Sequence, residues 1–195
     1  MAKSREAEPA AAPRLYLATT ADCPPAKLTA ALETADIACV LLLSGALDEA
    51  ALRAAVEVLC PLAQARDVAV LLEDRVEMAA EIGCDGVQLS GPRALAAARR
   101  RLGDEAIVGV DCGASRHDAI AAAEGGADFV AFGAPGPGAA ADPEPIGWWQ
   151  EIMTLPCVAF GAAGPEDCAR LAVAGADFVA VGPEMDLAAC QAALE

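Results

Sequence analysis

Aromatic side chains make up only 4% of this 195-residue chain, histidine occurs once, and 13 Lys and Arg stand against 29 Asp and Glu. Each scarcity excludes something. With few rings to use, a sequence that is 56% hydrophobic has to build its core from Ala, Val, Leu and Ile, which suits layers of small side chains under closely apposed helices. The formal net charge of -16 excludes nucleic acid and anionic membrane surfaces as partners, because phosphates are repelled before contact forms. Eight cysteines without a Cys-x-x-Cys pair, beside one histidine, exclude zinc-site spacing. The thiols read instead as small buried hydrophobes in a reducing compartment. No apolar run approaches the ~20 residues of a membrane span. Residues 1–13 are polar and Ala/Pro-rich without an apolar stretch, which reads as a flexible tail and not a secretion signal. These features predict a cytoplasmic protein with one domain over residues 14–195, and they leave a homodimer open.

What the chain has in abundance is one phrase. It appears as Gly83-Cys84-Asp85-Gly86-Val87, as Gly126-Ala127-Asp128-Phe129-Val130-Ala131-Phe132-Gly133, and as Gly175-Ala176-Asp177-Phe178-Val179-Ala180-Val181-Gly182. Each copy follows an alanine-rich amphipathic stretch and leads into a short apolar run. The glycine therefore reads as a left-handed helix terminus and the Asp as a turn residue before a buried strand. The intervals of 43 and 49 residues are about twice the ~25 residues of a strand-helix unit, which predicts a closed (β/α)8 TIM barrel.

Eight short runs bounded by turn signals serve as the strands: 15–19, 39–43, 68–72, 86–89, 107–110, 129–132, 157–160 and 178–181. Helical patterns cover 50–66, 75–82, 94–102, 117–124, 148–153, 165–173 and 187–194, with Pro61 expected to kink or interrupt the first. The connection from Gly133 to Gly147 holds four prolines and reads as a lid over the active-site end. In this fold the chemistry belongs at the carboxyl ends of the strands, which selects Thr19, Thr20, Ser44, Glu73, Asp74, Gln88, Ser90, Asp111, Cys112, Gly133, Gly161 and Gly182. Gly161, Ala162 and Gly182 follow strands seven and eight, where barrels commonly hold a phosphate on backbone N–H groups. Tight turns are the alternative use of those glycines.

With the strands placed, the chain resembles the thiamine-phosphate synthase family and its relative the thiazole tautomerase. The matching segments are Arg14-Leu15-Tyr16-Leu17, Leu71-Leu72-Glu73-Asp74-Arg75, Gly83 to Leu89, Ile107 to Val110, Gly126 to Gly133, Val158 to Gly161 and Ala174 to Asp177. The resemblance implies transfer of a hydroxymethylpyrimidine from its diphosphate to a thiazole phosphate, with Mg2+ holding the leaving diphosphate. It implies Asp74 as a catalytic, metal-holding residue, with Glu73 beside it where the family has Asn and Asp111 at the catalytic strand-five position where the family has Ser. Gly161, Ala162, Gly182 and Gln88 would bind substrate. The chain also departs from the family. Its Gln-x-Arg-x-Lys of strand two falls on Leu41, Leu43 and Gly45, a metal-binding Asp falls on Arg93, and the Thr-x-Thr-Lys of the lid falls on Gly138 to Ala141. The tautomerase histidine falls on Gly113, while His117 opens the next helix.

The rim then reads as acidic. Glu73, Asp74 and Asp111 either gather around Mg2+ or stand solvated at loop ends, and Pro183 and Glu184 disfavour a phosphate after strand eight. Trp148 or Trp149 either stacks on a flat heterocycle or packs the sixth helix. Three readings follow: the family transfer; a paralogue that has lost it and binds a small thiamine-related or cationic ligand, in a pocket of Glu73, Asp74, Gln88 and Asp111 under the lid; and a different barrel reaction using Asp111 or Cys112.

Overall fold

The structure is a computed structural model and describes residues 12–135 and 142–195. Eight parallel strands close into a barrel in chain order. They are β1 (Arg14–Thr20), β2 (Ile37–Leu43), β3 (Ala69–Glu73), β4 (Gly86–Leu89), β5 (Ile107–Gly113), β6 (Phe129–Phe132), β7 (Cys157–Ala159) and β8 (Phe178–Val181). The helices between and after them are α1 (Pro25–Thr34), α2 (Glu49–Gln64), α3 (Val76–Ile82), α4 (Leu95–Leu102), α5 (Arg116–Glu124), α6 (Pro143–Ile152), α7 (Pro165–Val173) and α8 (Leu187–Ala192).

Strand alternation sorts the side chains into two cores. Leu15, Leu17, Val40, Leu42, Val70 and Leu72 face outward into the layer shared with the helices. Tyr16, Leu41, Leu71, Phe129, Val158 and Phe160 form the inner cluster. The expectation of a ring-poor core fails inside the barrel. Phe129 and Phe160 meet the Tyr16 ring edge-on with centroids 6.1 and 5.9 Å away, a geometry that aromatic quadrupoles favour. Gly109 is what lets Phe129 in, because a Cβ there would overlap its ring.

The repeated phrase does more than turn the chain. Gly83, Gly126 and Gly175 are left-handed, with φ of 85°, 85° and 103°, as a helix terminus followed by a strand requires. The Asp that follows is not a simple turn residue. Asp85, Asp128 and Asp177 accept hydrogen bonds from the backbone N–H of Val70, Val108 and Cys157 at 2.8, 2.7 and 2.8 Å. Each carboxylate thus clips the start of the preceding strand, and Gln64, Arg99 and Gln150 bind the same carboxylates from the helix layer. Since the clips join β3 to β4, β5 to β6 and β7 to β8, the phrase recurs every second unit. They lie at the amino ends of the strands, away from the functional rim.

Three elements differ from the sequence expectations. Helix α1 was not anticipated; it starts at Pro25, a favoured first helical position, and buries only Leu28 and Ala31. Pro61 does not interrupt α2, which continues to Gln64, with the Ala65 N–H donating to the Pro61 carbonyl at 3.0 Å. Helix α6 begins at Pro143 and not at Trp148, because the Asp142 side chain caps the Glu144 N–H at 3.0 Å. The last part of the expected lid is therefore helix. Its residues 136–141, including Gly138 to Ala141, and residues 1–11 of the expected tail lie outside the described residues.

Candidate active site

A cavity of about 840 Å³ opens at the carboxyl ends of β1, β7 and β8. Its walls include Thr19 and Thr20 at the end of β1, Gly161 and Ala162 after β7, and Gly182 and Glu184 after β8. Asp22 and Lys27, from the segment leading into α1 and its first turn, complete one side. The Thr20 hydroxyl donates to Asp22, which fixes that carboxylate at the edge. Gly161 takes φ of 94°, a conformation that glycine adopts without strain. Thus Gly161, Ala162 and Gly182 come together as expected at one wall of an open site.

The other candidates stand apart from this cavity. Glu73, Asp74, Gln88 and Asp111 belong to the β3–β5 side of the same rim and do not line it. The carboxylates are engaged in loop geometry. Glu73 accepts from the Ser44 N–H at 3.2 Å, Asp74 from the Ser90 N–H at 2.9 Å, and Asp111 from the Gly113 N–H at 2.9 Å. Asp74 is one of the non-glycine residues with positive φ, at 50°, and its own N–H donates to the Gln88 carbonyl. Gln88 is 3% exposed, and its side-chain oxygen accepts from the Tyr16 hydroxyl at 2.7 Å within the barrel. A buried amide so held keeps its NH2 group as the remaining donor.

Burial raises the Asp111 carboxyl above its ordinary value; the Gly113 N–H opposes this, and the charges of Asp74 and Glu73 add to it. The three carboxylates therefore feel one another, yet among the described residues no three acidic, His or Cys side chains form a set able to hold a metal ion. Among the described residues Glu73, Asp74 and Asp111 thus do not form a three-carboxylate cage. One or two carboxylates still suit a Mg2+ that arrives with phosphate oxygens already on it.

Cys112 is 5% exposed in the layer behind β5, and burial pushes its thiol up to about 12. Burial thus disfavours the thiolate that a nucleophile needs, and Cys112 does not line the cavity. All eight cysteines are free thiols. His117 is exposed on the first turn of α5. Trp149 is fully buried and donates to the Leu155 carbonyl at 2.7 Å, and Trp148 lies 4.7 Å under the Arg116 guanidinium. Both indoles pack α6, and neither lines the cavity.

Leu41 is in the barrel interior and Leu43 on the cavity wall, where the strand-two cations were expected to be missing. The rim is nonetheless not purely acidic. Lys27, Arg75 and Arg93 sit on loops or first turns at this end, exposed and outside any ion pair among the described residues. Lys27, Asp22 and Met185 are among the cavity residues that sequence reasoning missed. The signal for Lys27 was the Pro24-Pro25 helix start, which places it in the first turn of α1.

The comparisons with known proteins agree with this frame. Residues 15–184 match the family described as thiamine monophosphate synthase. A thiamine-phosphate synthase of Rhodospirillum centenum is 52% identical, with 86% of each chain covered. One of Erythrobacter litoralis is 43% identical over 60% of this chain and 59% of its own. The solved thiamine phosphate pyrophosphorylase of Pyrococcus furiosus superposes with a TM-score of 0.78 over 93% of this chain and 95% of that one. At 21% identity that likeness speaks for the fold alone. The expectation that the family activity has been lost finds no support here, since the Rhodospirillum relative shares half of the aligned residues.

Proposed function

The chain belongs to the thiamine monophosphate synthase family, and from that premise we propose that it joins a hydroxymethylpyrimidine diphosphate to a thiazole phosphate. The observation that carries the reading is 52% identity across 86% of both chains to a thiamine-phosphate synthase. In this transfer the thiazole nitrogen lone pair forms a C–N bond to the pyrimidine methylene. The methylene C–O bond breaks, and the diphosphate leaves with its electron pair.

The chain's own residues divide the work by charge. Asp111, near the carboxyl end of β5, faces the positive charge that develops on the methylene as the diphosphate departs. Asp74 and Glu73 each keep a second carboxylate oxygen beyond the one held by a backbone amide, and these would hold a Mg2+ that enters with the diphosphate. The ion supplies charge neutralisation on the leaving group. Gln88 offers its NH2 group to the pyrimidine, and Gly161, Ala162 and Gly182 form the acceptor wall. Lys27, Arg75 and Arg93 take over the anion attraction that strand two no longer provides.

The free thiols suit a cytoplasmic setting, and no described helix is long and apolar enough to cross a membrane. The exposed apolar residues Val58, Ile120, Ile152 and Val173 stand on four different helices, so a homodimer gains no argument from them. The reading is tested by incubating the purified protein with both substrates and Mg2+ and following thiamine phosphate by chromatography. Product formed in step with diphosphate release supports it. No condensation at enzyme concentrations comparable to substrate would overturn it.

A further inference from the structure

We infer that Tyr16 is a positioning residue for the pyrimidine: its hydroxyl holds the Gln88 amide so that the NH2 end faces the substrate, which must then present a ring nitrogen as acceptor. This rests on the transfer proposed above, in which Gln88 meets the pyrimidine. The two residues stand on strands three apart. Gln88 pairs in register with Glu73 on β3 and Gly109 on β5, while its neighbours Val87 and Leu89 belong to the outer core. Strand alternation therefore turns Gln88 inward near the carboxyl end of β4. Tyr16 belongs to the inner cluster, and its hydroxyl donates across the barrel to Gln88 Oε1 at 2.7 Å.

That hydroxyl is fixed in place and in protonation. The edge-on contacts of Phe129 and Phe160 hold the Tyr16 ring from two sides. Burial, and after it the neighbouring Cys39 thiol, raises the hydroxyl well above its ordinary value, so it remains a donor throughout the neutral range. An amide that gives its oxygen to a fixed donor turns its NH2 group the other way. Among the described residues no fully buried side-chain nitrogen or oxygen lacks a partner, and the Gln88 side chain bonds to the protein through its oxygen. Its Nε2 therefore reaches the open end of the barrel. The rim favours the same orientation, since Glu73 lies in register beside Gln88 and Asp111 two residues beyond Gly109, and carboxylates there attract the NH2 end and repel the oxygen.

An amide without this anchor presents either end, and accepts from an amino group as readily as it donates to a ring nitrogen. With Tyr16 in place, a ring nitrogen at that spot is paired, whereas a donor placed there faces another donor in a site closed to water. Tyr16 itself is 2% exposed. It acts through Gln88 and not by touching the substrate.

The test is calorimetric titration of hydroxymethylpyrimidine diphosphate with Mg2+ against wild type, Tyr16→Phe, Gln88→Met, the double variant and Gln88→Glu. Thermal melts establish folding, and titrations are run below the melting temperature of the least stable protein. Tyr16→Phe keeps the ring packing and should weaken binding about fivefold, and Gln88→Met about tenfold. The double variant should bind no more weakly than Gln88→Met alone, because the hydroxyl has no amide left to act through. Gln88→Glu keeps an acceptor for Tyr16 but removes the NH2 donor, and should lose at least as much as Gln88→Met. Single losses that multiply in the double variant overturn the inference, as do a Tyr16→Phe or Gln88→Glu protein that binds like wild type, or a wild type that does not bind the pyrimidine. Binding needs no turnover, so a wild type that binds with this pattern but forms no condensed product contradicts the transfer and leaves the positioning role standing.

Discussion

Replacing Asp128 by Ala should destabilise the barrel without touching its functional end. Asp128 Oδ2 accepts from the Val108 N–H at 2.7 Å and from the Arg99 guanidinium at 2.5 Å. Val108 is fully buried, so truncation leaves its N–H without a partner, at about 1–3 kcal/mol. The ion pair adds little, because the Asp128 side chain is 46% exposed and such pairs contribute roughly 0–1 kcal/mol. Arg99 keeps the carbonyls of Gly126 and Ala106 as acceptors, so its charge is not stranded. A loss near 2 kcal/mol follows from these terms, which for a domain of this size lowers Tm by roughly 4–8 °C. Asp128→Asn retains an acceptor oxygen and should lose about half as much, and thermal and urea melts of the three proteins measure both. An Ala variant within 0.5 kcal/mol of wild type, or an Asn variant as damaged as Ala, would refute the view that the repeated Asp works as a backbone clip.

Two further outcomes follow from the rim. The Asp111 carboxyl is raised in the folded state, chiefly by burial, so ionising it costs the fold stability as pH climbs from about 4, the unfolded value, through the folded value. Asp111→Asn should therefore melt higher than wild type at pH 7 and match it near pH 3; a difference that is constant or grows toward acid contradicts this. Cys112→Ala should leave turnover within about twofold, since a thiol held at about 12 supplies no nucleophile; loss of activity in a variant that still folds would restore Cys112 to the chemistry.

The barrel was legible because its strands are short apolar runs bounded by glycine and Asp, a local signal that needs no knowledge of neighbours. Helix α1 was not, since its two-proline start and alanine-rich body give little periodic contrast. The clip made by Asp85, Asp128 and Asp177 spans 15 to 20 residues and a strand pairing, which a linear reading sees only as a turn. At the site, residue types at strand ends identified Gly161, Ala162 and Gly182 on the wall. The same reading could not place the cavity over β1, β7 and β8, because that depends on which loops stand open once packed. Nor could it see that Glu73, Asp74 and Asp111 each spend an oxygen on a backbone amide. The charge balance was misjudged for a related reason: Lys27, Arg75 and Arg93 lie beyond the ends of β1, β3 and β4, and only the folded loops bring them to the rim.

The most direct measurement is condensation by the purified wild-type protein, supplied with hydroxymethylpyrimidine diphosphate, thiazole phosphate and Mg2+. The account predicts thiamine phosphate with one diphosphate released per product formed. Absence of condensed product at stoichiometric enzyme, with the fold verified, would contradict it.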